Sequence, residues 1–174
     1  YVFPIEGEAA EQAQAAEEAS SGLLDWEPWS QDAVQKHLEA GRPEQARAEL
    51  DQARALVAQE GARASADPRW SALAVDVLHE LGRLERQAGN PDAAQRLVAQ
   101  GLREVRAHAP DLEARSDAAA EWTSRHARLR RLEGTLHLDR GALEQAHDAF
   151  VASHALMDWS SKVRPAYLTW KGKA

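Results

Sequence analysis

Cysteine is absent from this chain, which excludes disulfides, thiolate metal sites and a cysteine nucleophile, and leaves the compartment open. No apolar run approaches the roughly eighteen residues that a membrane-spanning helix needs, and no secretory signal pattern is visible. Methionine occurs once and does not begin the chain, so a fragment or processed form of something longer is expected. Lysine is scarce beside alanine and arginine, a bias of GC-rich bacterial genes. Basic residues are missing altogether from residues 1–30, which hold Glu6, Glu8, Glu11, Glu17, Glu18, Asp25 and Glu27. Those seven account for the whole formal net charge of −7, and the rest of the chain is balanced. Catalytic signatures are also lacking: there is no Gly-rich phosphate loop, no nucleophile elbow and no His-Glu-x-x-His zinc motif. Glu144-x-x-His147, with His137 and His154 nearby, has the spacing of half a di-iron site, but the second half does not exist. Neither a catalytic residue, a metal ligand nor a cofactor is expected, and the chain reads as a non-enzyme.

What the sequence does contain is a repeat. Trp70, Gly82 and Gly89 stand at the same separations as Trp122, Gly134 and Gly141, and a third copy of the second half opens at Gly41. Periods of this size mean stacked supersecondary units. Leu73, Val77, Leu81 and Leu84 recur at helical steps after Trp70. Gly89 ends that helix and Pro91 starts the next, as Gly41 and Pro43 do one unit earlier. The second helices present Ala46, Leu50 and Ala53, then Ala94, Val98, Gly101 and Leu102, then Ala146, Phe150 and Ser153. Gly82 and Gly134 lie inside the first helices, where glycine costs about 1 kcal/mol against alanine, so each marks a close crossing.

Leu81-Gly82, Gly89, Ala94, Val98 and Gly101, followed by Gly134, Gly141, Ala146, Phe150 and Ser153, resemble the tetratricopeptide repeat family across residues 27–158. Glu133 replaces the expected leucine, Val34 replaces the first helical glycine, and the units exceed the usual length of about 34 residues. The resemblance implies an all-α fold of antiparallel helix hairpins stacked as a solenoid. Six helices in three hairpins are expected over residues 31–158, turning at Gly41, Gly89 and Gly141. It also implies a groove lined by the first helix of each unit. Register places Gln31 and Gln35, then Asp76, His79, Arg83 and Arg86, then Arg128, Arg131 and Thr135 on that surface. Arginine binds carboxylates bidentately, so the implied partner is an acidic protein or peptide.

Three regions follow: an acidic Ala/Glu-rich arm or linker at 1–22, helical repeats at 23–158 and a C-terminal capping segment at 159–174. Ser30 should cap the first helix, with Trp29 stapled to Val34. Residues 58–67 read as a loop closed by the Asp67 cap and Pro68. The helix holding Trp122 should run from Asp111 to Asp139, and Asp158 should cap the terminal segment. The acidic arm is also a candidate occupant of the arginine groove. Arg125, Arg128, Arg130 and Arg131 form a basic cluster, but on an acidic chain they do not read as a nucleic-acid site. The expected function is a protein-interaction scaffold or adaptor without a membrane span, the alternative a regulatory or sensor segment of a larger signalling or transcription protein. The expected location is cytoplasmic. Trp26-x-Pro-Trp-Ser with Val34 and Gly41-Arg-Pro is similar to the segment preceding the thioredoxin-like domain of transmembrane thiol-disulfide interchange proteins, which implies a periplasmic alternative.

Overall fold

A computed structural model describes residues 31–63, 67–109 and 116–163. The acidic arm, the Ser30 cap with its Trp29 staple, and residues 164–174 of the terminal segment lie outside them. The described residues form six helices and no strand: α1 Gln31–Glu39, α2 Pro43–Arg63, α3 Pro68–Gln87, α4 Pro91–His108, α5 Asp117–Asp139 and α6 Leu143–Val163.

Three glycines set the hairpins. Gly41, Gly89 and Gly141 take φ of +68°, +79° and +74°, where a Cβ would clash with the backbone. Each turn closes with the same pair of hydrogen bonds. In the first, Arg42 N–H donates to His37 O (2.8 Å) and Gly41 N–H to Leu38 O (3.0 Å). Asn90 with Glu85 and Gly89 with Arg86, then Ala142 with His137 and Gly141 with Leu138, repeat the arrangement. These bonds satisfy carbonyls that a helix end would otherwise leave bare.

Consecutive helices pack as pairs, and side-chain bonds fix their directions. Ser153 Oγ donates to Ala127 O (2.8 Å) and Ser160 Oγ to Ala120 O (3.1 Å), so α6 returns along α5. Arg47 meets Glu85, and Gly61 meets Trp70, so α3 returns along α2. Between hairpins, α3 and α5 run parallel, with Asp76 reaching Arg125 and Arg86 reaching Asp139. The crossings fall at the small residues. A Cβ at Gly82 would lie 3.2 Å from Leu132, one at Gly101 3.0 Å from Leu129, and one at Gly134 2.9 Å from the Phe150 ring. Two apolar clusters fill the stack. Val34, Ala46, Leu50, Ala53, Val77, Leu81 and Leu84 join α1, α2 and α3, while Val75, Val98, Leu102, Val105, Trp122, Leu129 and Leu136 join α3, α4 and α5. Each fully buried side chain of this size is worth about 1.5–3 kcal/mol of transfer free energy.

Three local readings need correction. Helix α2 continues through Arg63, so residues 58–63 are helical; Ala58, Gln59 and Ala62 favour helix, and Gly61 is held against Trp70. Helix α5 starts at Asp117 rather than Asp111, because Ser116 Oγ accepts the Ala119 N–H (3.1 Å) and caps it there. Helix α6 passes through Asp158, which pairs with Lys162 one turn on and caps nothing. Phe150 covers Gly134 but stays 37% exposed, and Leu138, Leu143 and Val151 are also exposed on the last hairpin. The Asp67 cap stands as read, its carboxylate accepting the Arg69 N–H at 2.9 Å.

Candidate functional site

The first helices of the three hairpins, α1, α3 and α5, carry the residues that register assigns to a groove. Between α3 and α5 that surface is closed by ion pairs. Asp76 accepts from Arg125 Nε (3.0 Å) through one oxygen and from Arg128 through the other. Arg86 grips Asp139 with two bonds of 2.6 and 3.1 Å. Arg83 donates to Glu80 (2.9 Å), which also meets His79 Nδ1 at 2.9 Å. Glu80 is buried. Burial pushes its carboxyl upward, yet the His79 hydrogen bond and the charges of His79, Arg83 and Arg128 outweigh it and hold the group below the usual range.

This seam changes the electrostatics expected of the groove. Arg83, Arg86 and Arg128 are each matched by a carboxylate of the same chain, and only Arg131 is exposed with no carboxylate partner among the described residues. The case for an acidic arm lying there is correspondingly reduced. Thr135 turns its hydroxyl back to Arg131 O (2.9 Å) on its own helix, and Gln35 donates to Glu39 (3.0 Å). Gln31 opens α1, and its side chain lies outside the described residues. The groove register left out Glu80, Asp139 and the Arg47–Glu85 pair, and Arg125 was read only as part of the basic cluster. The i,i+3 spacing of Glu80 and Arg83 was a readable signal.

Between α1 and α3 the same surface opens. No Cα of α1 comes within 8 Å of one in α3. A cleft of about 800 Å³ lies at the turn end, with Gln35, Leu38 and Glu39 on one side, Arg83, Leu84 and Gln87 on the other, and Pro43, Glu44 and Arg47 between them. The structure thus brings Gln35 and Arg83 into one cavity and leaves Arg128, Arg131 and Thr135 outside it. Arg47 reaches across from α2 to Glu85 at 2.5 Å, and Asn90 donates to the same carboxylate at 2.8 Å. The Arg47 hydrogen bond holds the Glu85 carboxyl below its usual range against the opposing effect of burial. A hydrogen-bonded wall beside Leu38 and Leu84 offers both polar contacts and an apolar seat.

His147 sits 3.5 Å from Asp148, both largely exposed. No group of three histidine, aspartate or glutamate side chains among the described residues could hold a metal ion. No described helix is long and apolar enough to cross a membrane. Comparison of the chain with protein families, curated proteins and solved structures finds no match.

Proposed function

We propose that this chain is a non-enzymatic interaction scaffold of the tetratricopeptide-repeat kind, which binds a peptide or partner helix in the cleft between α1 and α3. The observation that carries this reading is the opening itself. The α3/α5 part of the surface is zipped by ion pairs, whereas the α1/α3 part leaves about 800 Å³ between an apolar seat and oriented polar groups. Three glycine-turned hairpins and the parallel alignment of α3 with α5 support the repeat reading. Arg83 spends one N–H group on Glu80 and keeps the others for a ligand carboxylate. Leu38 and Leu84 would hold an apolar side chain next to it. An acidic peptide with one apolar anchor is therefore the expected ligand class.

A peptide-display selection against the full chain tests this. Enriched peptides should combine a carboxylate with a large apolar residue, and Arg83→Glu should weaken them by about tenfold or more, equivalent to ~1.4 kcal/mol. Arg103→Glu, on exposed α4 surface, should leave them unchanged. Enriched peptides that bind the Arg83→Glu protein as tightly as the parent would rule out this cleft.

A further inference from the structure

A second groove shares no lining residue with the α1/α3 cleft and lies between α2 and α4, over α3. Both flanking helices pack on α3, yet no Cα of α2 comes within 8 Å of one in α4. The space left between them has a volume of about 420 Å³. Antiparallel packing sets its register, since Gly61 lies against Trp70 across α2 and α3, and Gly82 against Val98 across α3 and α4. Counting helical turns from those contacts gives three levels. Arg54, Leu78 and Gln100 form the first, Ala58, Ala74 and Glu104 the second, and Gly61, Trp70 and His108 the third. At ~1.5 Å per residue the levels are about 6 Å apart and the groove about 12 Å long. It is open because the second level has only alanine on α2 and α3, and the third has glycine on α2. Buried Val57, Val77 and Leu78 form its floor. A pocket of this size with an apolar floor and a few polar groups at the edge is the usual form of a small-molecule site.

The polar groups are unevenly spread along it, and this sets the charge of an occupant. Asp67, beside the third level, is taken by Arg69, which reaches it with its backbone N–H (2.9 Å) and its guanidinium (2.7 Å). Glu104 meets His108 at 3.5 Å. Arg54 differs: it donates to Gln100 at 3.4 Å, and no carboxylate of the described residues pairs with it. The first level thus carries a guanidinium with N–H groups to spare and a carboxamide beside it, donors that suit a carboxylate. Both acidic side chains of the groove stand at the other two levels, so a second anionic group there is repelled. An apolar body with one terminal carboxylate fits this pattern. An aromatic ring at its far end fits the Trp70 indole, because ring pairs gain from offset or edge-to-face contact.

We propose that the α2/α4 groove binds a small arylalkyl monocarboxylate. Arg54 and Gln100 hold the carboxylate, the alkyl chain passes between Ala58 and Ala74, and the ring lies against Trp70. The proposal does not rest on peptide binding between α1 and α3, and either site stands or falls without the other.

The phenylbutyrate anion has the required shape and serves as the probe. Titrated into the isotopically labelled full chain, it should shift the amide signals of residues 54–61, 70–78 and 100–108, with a Kd of about 1 mM or below, the range of small ligands of this size. Arg54→Glu, at an exposed position, should weaken phenylbutyrate by about tenfold or more and leave the neutral phenylbutanol unchanged. A phenylbutyrate carrying a second carboxylate on its ring should bind the parent protein about tenfold more weakly than phenylbutyrate itself. Ala58→Trp, also at an exposed position, fills the second level and should block the acid and the alcohol alike. No shift in the three segments at the solubility limit of phenylbutyrate would overturn the proposal. So would shifts confined to residues 35–47 and 83–90 of the other cleft, or an equal loss of acid and alcohol in the Arg54→Glu protein.

Discussion

At the scale of single residues, glycine does two different jobs on helices here, and substitution separates them. Gly101 lets α4 approach α5 so closely that a Cβ would sit 3.0 Å from two carbons of Leu129, whereas at Gly61 it would meet Trp70 at an ordinary 3.8 Å. Gly101→Leu should therefore cost about 1–3 kcal/mol through overpacking. Gly61→Ala should gain up to about 1 kcal/mol, since α2 runs through it and alanine favours helix. Denaturant unfolding of both variants checks this, and equal shifts of the same sign would show that the assigned crossings are wrong. His126 provides a second residue-scale prediction. Burial lowers its pKa first, and the neighbouring Arg130 and Arg106 lower it further against Glu133. Its Nε2 faces the Arg130 Nε–H at 3.3 Å, an acceptor role that protonation abolishes. A depressed histidine favours folding while neutral, so its contribution is complete above the unfolded value of about 6.5 and declines as pH falls below it. The lowered Glu80 and Glu85 add a later loss, as pH falls through their folded values beneath about 4.5. His126→Gln keeps an acceptor without the titration, and should lose less stability than the parent between pH 7 and 5. Identical slopes would remove His126 from the acid response.

At the scale of elements, the features legible in the sequence were those fixed by local chemistry. The turns could be read because only glycine takes positive φ cheaply, and Gly41, Gly89 and Gly141 stand where the apolar periodicity stops. The Asp67 cap and the prolines opening α2, α3 and α4 were readable for the same reason. Boundaries decided by competition were less so. Residues 58–63 carry a glycine and no large apolar side chain, so they resembled a loop until packing of Gly61 on Trp70 entered. Asp111 and Ser116 were both credible caps for α5, and spacing alone did not rank them. Charge was the larger surprise. Sequence placed Asp76, Arg83, Arg86 and Arg128 on one surface, but the partners that neutralise them come partly from another helix. Arg86 and Asp139 meet because α3 and α5 lie parallel in register, a relation no local pattern states. The α1/α3 opening was equally hidden, since it arises from a contact that one pair of hairpins makes and the other does not.

That inequality governs the molecule as a whole. Consecutively packed helix pairs draw stability from each pair and from the interfaces between neighbours, so a pair with a poorer interface opens first. The second and third hairpins share the α3/α5 seam, the Gly101–Leu129 crossing and a tie from Arg140 to Asp92 at 2.5 Å. The first hairpin lacks an α1/α3 backbone approach, and α1 is the shortest of the described helices, with nine described residues. Its hold on the neighbouring hairpin comes from Val34 and Leu38 of α1, from Ala46, Leu50 and Ala53 of α2 packed with Val77, Leu81 and Leu84 of α3, and from the Arg47–Glu85 pair. Exposed ion pairs elsewhere add little, typically 0–1 kcal/mol each. Native-state hydrogen exchange should therefore show α1 amides opening at the lowest free energy, α2 next, and α4 and α5 near the global value. Glu85→Ala should widen this spread, because it strands Arg47 and leaves Asn90 without its acceptor, which costs about 1–3 kcal/mol. The added exchange should be confined to α1 and α2. Uniform exchange across all six helices would mean that the three hairpins unfold as one cooperative block, and that the missing α1/α3 approach has no energetic consequence.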